Sequence, residues 1–179
     1  MNTIQIADKS FKILLENDNI EKRTRLIAIQ INVDYEKRCP VFIGVLNGSF
    51  LFMADLLKEI DIPCEVGFIR VASYQNTEST GVIKEILGLS DDISGRDIIL
   101  VEDIVDTGFT LEHILKQIYI KGPASVKVCS LLLKPAALKS PIDELEYVGF
   151  EVANEFVVGY GLDYNGLGRN LRDIYKATD

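Results

Sequence analysis

The apolar runs Val41–Leu46, Asp97–Val101 and Ser125–Leu133 constrain the fold more than any other feature of the sequence. They are almost uninterrupted by polar residues, so strands made from them need cover on both faces. Helical stripes lie between them. Phe50, Met53, Ala54 and Leu57 keep a helical period through Lys58, and Leu111, Ile114, Leu115 and Ile118 follow an i, i+3, i+4, i+7 pattern that Gly122-Pro123 closes. An amphipathic helix is expected from about Asn19 to Val33, a strand from Cys64 to Ala72 alternating around Val66, Phe68 and Val71, and a further strand over Val82 to Leu87. This alternation predicts an α/β fold: a central, mostly parallel sheet flanked by helices. Such sheets bind ligands beyond the carboxyl ends of their strands. The segments that follow the strands are therefore the ones to read for chemistry.

Composition narrows the partners. The 179 residues suit one domain, 1–179, and no linker or repeat divides them. With 47% apolar and 26% charged residues, disorder and coiled coil are excluded as the main architecture. The 19 basic and 27 acidic residues leave a net charge of -8, which speaks against a nucleic-acid partner. Cys39, Cys64 and Cys129 are odd in number and form no CxxC pair, so they read as reduced thiols of a cytoplasmic protein. The single histidine, His113, has no cysteine near it in sequence and makes no zinc site. The N-terminus lacks the pattern of a signal peptide. The most apolar stretch, Val41 to Leu57, is broken by Asn47, Gly48, Ser49 and Asp55 and is not expected to span a membrane.

The segment after the middle strand is the most informative. Glu102, Asp103 and Asp106 place three carboxylates within five positions, and Thr107, Gly108, Phe109 and Thr110 open the next helix. A helix N-terminus offers unpaired N–H groups and the positive end of its dipole. Glycine lets the backbone approach an anion, and the threonine hydroxyls add donors, so the loop suits a phosphate monoester. Acids beside a phosphate repel it unless hydroxyls or a cation intervene. A ribose diol with Mg²⁺ resolves that conflict. Neither a GxxxxGK[ST] loop nor a GxGxxG fingerprint is present. The plainer alternative is an acidic turn in which Asp106 only caps the helix.

In this segment the chain resembles the phosphoribosyl-pyrophosphate motif of type I phosphoribosyltransferases. Over nearly its whole length it resembles their hypoxanthine-guanine, or 6-oxopurine, branch. The resemblance implies that family's fold, with a small hood built from the N-terminal segment and about residues 135–179, and a flexible lid over Val71 to Lys84 that contains Ser73 and Tyr74. Leu46, Asn47, Gly48 and Ser49 resemble the family's first loop, whose first peptide bond is typically cis and whose amides bind pyrophosphate. Asn47 stands where the family often has lysine or arginine. Arg169 falls where the family has a pyrophosphate-binding arginine. Lys134 resembles the lysine that contacts the purine 6-oxo group, Phe156 the ring that stacks on the base, and Val157 the residue whose main chain reads its edge. Asp163 resembles an acid near the metal, so Glu102, Asp103 and Asp163 are the expected metal residues.

What the resemblance implies is transfer of a 5-phosphoribosyl group from phosphoribosyl pyrophosphate to N9 of hypoxanthine, and of guanine, with Mg²⁺ as cofactor and pyrophosphate as leaving group. Asp106 would be the general base, and Glu102, Asp103, Asp106, Thr107, Gly108, Phe109 and Thr110 would hold the phosphoribosyl group. The family commonly forms homodimers or homotetramers. The alternatives are a phosphoribosyltransferase for another base and a regulatory protein that senses the donor. Taken singly, several of these residues have plainer readings: Lys134 as a surface lysine, Phe156 as core, Asp163 as a loop acid.

Overall fold

A computed structural model describes residues 3–73, 83–88 and 93–178. In chain order the strands and helices are β1 (Thr3–Ile6), β2 (Lys9–Leu15), α1 (Asn17–Asp34), β3 (Val41–Leu46), α2 (Phe50–Lys58), β4 (Glu65–Ser73), β5 (Ile83–Leu87), β6 (Asp97–Val105), α3 (Phe109–Ile120), β7 (Ser125–Leu133), β8 (Leu145–Glu151), β9 (Val157–Val158) and β10 (Ile174–Ala177). The large sheet has the order β5-β4-β3-β6-β7-β8. Five neighbours from β4 to β8 run parallel, and β5 adds an antiparallel edge. The expected central parallel sheet is therefore present.

At β3 and β6, in the middle of that sheet, both faces are covered, and this is why those two strands read as apolar runs. Successive residues of β6 point to opposite sides. Ile99 and Val101 pack with Ile20, Ile27 and Ile31 of α1 and with Phe52, Met53 and Leu56 of α2. Ile98 and Leu100 pack with Leu111, Ile114 and Ile118 of α3. The apolar stripe of α3 read from the sequence is the buried face of that helix.

β6 is longer than expected. It runs on through Glu102 to Val105, because Glu102, Ile104 and Val105 continue the parallel ladder opposite Ser130, Leu132 and Leu133 of β7. Glu102 and Asp103 therefore sit inside the strand rather than in the turn after it. Ser49, which directly precedes α2 and whose residue type could cap it, does not do so with its side chain. Its hydroxyl donates to the Val45 carbonyl at 2.6 Å, so it closes the turn into α2 without accepting a helix N–H.

A second, antiparallel sheet of order β1-β2-β10-β9 lies on its own small core of Ile6, Phe11, Val158 and Tyr175. It unites the two ends of the chain, drawing on residues 3–15 and 157–177. The range of about 135–179 that the resemblance implies for the hood also takes in β8, which pairs with β7 in the large sheet. Among the described residues, no helix is long and apolar enough to cross a membrane.

Candidate active site

The carboxyl ends of β3, β6 and β7 converge. A cleft of about 210 Å³ opens there, lined by residues of the run from Glu102 to Gly108, with Thr110, Val45 and Leu111. Most of the residues expected to hold the phosphoribosyl group thus surround one space. Phe109 is not in its wall, and its side chain is half exposed. The turn is built around Gly108, which has φ 82° and directly precedes α3. A glycine adopts that left-handed conformation without steric penalty. It also leaves room for Ile142, which would lie 3.1 Å from any added Cβ.

The residue that precedes α3, Gly108, offers no side-chain cap, and the Phe109 N–H donates instead to Thr107 Oγ1 at 3.5 Å. Asp106 is engaged elsewhere, as its Oδ2 accepts a hydrogen bond from Lys134 Nζ at 2.8 Å. The plainer reading of Asp106 as a helix cap is thereby excluded. Lys134 is no surface lysine either, with 7% of its area exposed. It directly follows β7 beside Asp106, and its backbone N–H donates to the Val105 carbonyl.

Asp103 turns the other way. A Cβ on Gly48 would overlap its carboxylate, so Gly48 is what lets the first loop lie against β6. The Leu46–Asn47 peptide bond in that loop is cis, as the resemblance implies. Burial pushes the Asp103 carboxyl up to about 6, and the neighbouring charge of Asp163 acts in the same sense. The N–H of Ile104, donating at 2.9 Å, and the Arg169 guanidinium pull it back. Glu102 is more buried and is pushed well above the ordinary carboxylate range, first by desolvation and then by Asp103.

Asp163 and Arg169 meet as an ion pair at 2.5 Å. Asp163 also accepts from the Gly166 N–H at 2.7 Å, and Arg169 Nη1 donates to the Gly161 carbonyl at 2.6 Å. The expected metal trio of Glu102, Asp103 and Asp163 does not gather as one cluster. Among the described residues, no three His, Cys, Asp or Glu side chains do. The reason is the strand. Glu102 is buried within β6, while Asp103 lies against Gly48 of the first loop.

Phe156, half exposed, precedes β9. Its ring stands edge-on to Tyr164 at 5.6 Å between centroids and 6.4 Å from Phe11. Val157 is buried and pairs with Lys176. Ser73 ends β4, while Tyr74 and most of the expected lid lie outside the described residues. The sequence reading missed Tyr160, Gly161 and Tyr164. The glycine and aromatic residues of the run Gly159–Tyr164 were the available signal.

Comparison with known proteins accords with this geometry. Residues 10–165 match the phosphoribosyl transferase domain model. The chain belongs to the phosphoribosyltransferase family. It is 42% identical over 161 residues to the hypoxanthine-guanine phosphoribosyltransferase of Bacillus subtilis, covering 89% of each chain. It is 38% identical over 177 residues to the enzyme of that name from Aquifex aeolicus, covering 98% of this chain and 99% of the relative. The bifunctional protein TilS/HprT of Listeria innocua is 45% identical over 161 residues, 89% of this chain, and the chain spans about a quarter of that protein's length. A crystal structure of a hypoxanthine-guanine phosphoribosyltransferase from Bacillus anthracis superposes with a TM-score of 0.84 at 38% identity, covering 92% of this chain and 97% of the other.

Proposed function

We propose that this chain transfers the 5-phosphoribosyl group of phosphoribosyl pyrophosphate to N9 of hypoxanthine and guanine, releasing pyrophosphate, as a cytoplasmic enzyme of purine salvage. The observation that carries the reading is the pairing of Lys134 Nζ with Asp106 Oδ2 at 2.8 Å beside the phosphate cleft. A 6-oxopurine presents an acceptor at O6 and a proton at N7 on one edge. Lys134 supplies the donor for the first and Asp106 the acceptor for the second. A 6-amino group would set donor against donor at Lys134.

The turn Asp106–Thr110 receives the 5-phosphate through backbone N–H groups at the start of α3. Asp103 and Asp163 offer hard oxygen donors, with the charge of one felt at the other, and this set suits Mg²⁺ once substrate oxygens complete the shell. Bound there, Mg²⁺ would neutralise charge on the pyrophosphate. Arg169 and the amides of Leu46–Gly48 hold the same group. Phe156, with Tyr164 supporting its ring, stacks on the base, and the main chain of Val157 reads its edge.

In the reaction the bond from ribose C1 to the pyrophosphate oxygen breaks and the bond from C1 to N9 forms. Positive charge develops on the sugar as the bond breaks. Asp106 takes the N7 proton as N9 becomes bonded, which keeps the purine neutral. Ser73 and Tyr74 act in the lid that keeps water from the sugar cation. The test is conversion of labelled hypoxanthine to its 5-phosphoribosyl nucleotide with donor and Mg²⁺. Conversion that stops on chelation supports the reading, and no conversion under any of these conditions overturns it.

A further inference from the structure

The residues 159–163 form a strap between the second sheet and the cleft. A Cβ on Gly161 would overlap the Gly48 carbonyl, so the strap lies directly on the first loop. Gly48 is thus held between two surfaces, the Asp103 carboxylate and the Gly161 backbone. Bonds within the C-terminal segment shape the strap itself. Tyr160 N–H donates to the Leu171 carbonyl, Gly161 N–H to the Arg169 carbonyl, and Gly159 and Leu162 exchange N–H bonds.

Tyr160 departs from this pattern. Its side chain leaves the strap, is 2% exposed, and donates through its hydroxyl to Asp55 Oδ2 at 2.5 Å. Asp55 lies in α2, the helix that begins directly after the first loop, and Lys58 holds its other oxygen at 2.6 Å. Ser49 joins loop to helix, its hydroxyl donating to the Val45 carbonyl and its backbone carbonyl accepting the Met53 N–H at 2.8 Å. The backbone of Tyr160 has φ 49°, a left-handed conformation unusual for a large side chain. Such outliers persist where the surroundings over-determine them.

We propose that Tyr160 is a positioning residue for the pyrophosphate half of the site. Its bond to Asp55 ties the strap that carries Asp163 to the helix that carries the first loop, and so holds the two halves in register. The proposal rests on the phosphoribosyl-transfer reading, because it takes the first loop and Arg169 as the pyrophosphate site. Neither Tyr160 nor Asp55 touches substrate in this account. Their effect is confined to the alignment of groups that do.

Steady-state kinetics of the full chain in both directions test it. Tyr160→Phe raises KM for the donor, and for pyrophosphate in the reverse reaction, by about five- to tenfold, while KM for the base is unchanged. Asp55→Ala reproduces this split, and the double variant is no worse than either single one. Asp55→Asn, which keeps an acceptor for the phenol, stays within about twofold of the parent. A merely structural role would lower thermal stability and the active fraction without splitting the two KM values. An unchanged pyrophosphate KM in Tyr160→Phe, or an equal rise for base and pyrophosphate, overturns the proposal. With an active parent, those outcomes leave the phosphoribosyl reading standing. A parent that forms no nucleotide overturns that reading and this proposal together.

Discussion

Lys134, buried at the end of β7, donates from Nζ to Asp106 Oδ2 at 2.8 Å, while the Asp106 side chain remains 44% exposed to the cleft. The lysine is anchored and the carboxylate is accessible. A donor and an acceptor thus stand side by side where the base is expected. Asp106 alone would not tell one purine from another, because every purine carries N7; Lys134 adds the discrimination at the 6-position.

Asp106→Asn keeps the shape and a hydrogen-bonding group but removes the base. Turnover should fall by about two to four orders of magnitude. Binding of the donor, followed by calorimetry, should stay close to the parent value. Undiminished turnover would remove Asp106 from the chemistry.

Lys134→Gln shortens the donor and removes its charge. KM for hypoxanthine should rise by about tenfold or more, and KM for the donor should hold. The fold should tolerate the change, because the partner left behind, Asp106, is solvated. Chemical denaturation alongside the kinetics separates the two effects. A rise in donor KM alone would place Lys134 outside the base site.

Gly48→Ala sets a methyl group against the Asp103 carboxylate. The first loop must then move off β6. The expected outcome is a folded protein whose KM for the donor rises by about tenfold or more, with KM for the base little altered. A variant with parental donor KM would show that the loop need not rest on Asp103.

The carboxyl of Asp103 is raised from 3.8 to about 6 in the folded chain. The folded state thus binds this proton more tightly than the unfolded chain. The stability this confers is complete below about pH 4 and is lost as pH rises through about 6. Glu102 is shifted in the same direction. Without metal, Asp103→Asn should therefore melt above the parent at pH 7.5 and lose that advantage at pH 4. Thermal melts across this range check the sign. A variant that melts below the parent at pH 7.5 would contradict the burial argument.

Much of this architecture is local and hence legible in the sequence. The doubly buried strands announce themselves as unbroken apolar runs, and the stripe Leu111–Ile118 marks the face of α3. The turn Asp106–Thr110 is also contiguous, so the residues that line the cleft there stand together in the sequence. Illegible were relationships that depend on folding distant segments together. The pairing of Lys134 with Asp106 spans 28 positions, and that of Tyr160 with Asp55 spans 105. The burial of Glu102 within the strand depends on β6 continuing past Val101, which only its ladder with β7 determines. The strap over Gly48 depends on two glycines far apart in sequence meeting backbone to backbone.

The central claim is that the Asp106–Lys134 pair selects a 6-oxopurine. Initial rates with donor and Mg²⁺, measured separately for hypoxanthine, guanine, xanthine, adenine and uracil, test it most directly. The expected result is nucleotide formation from hypoxanthine and guanine and none from adenine or uracil. Turnover of adenine or uracil in preference to hypoxanthine and guanine would contradict it.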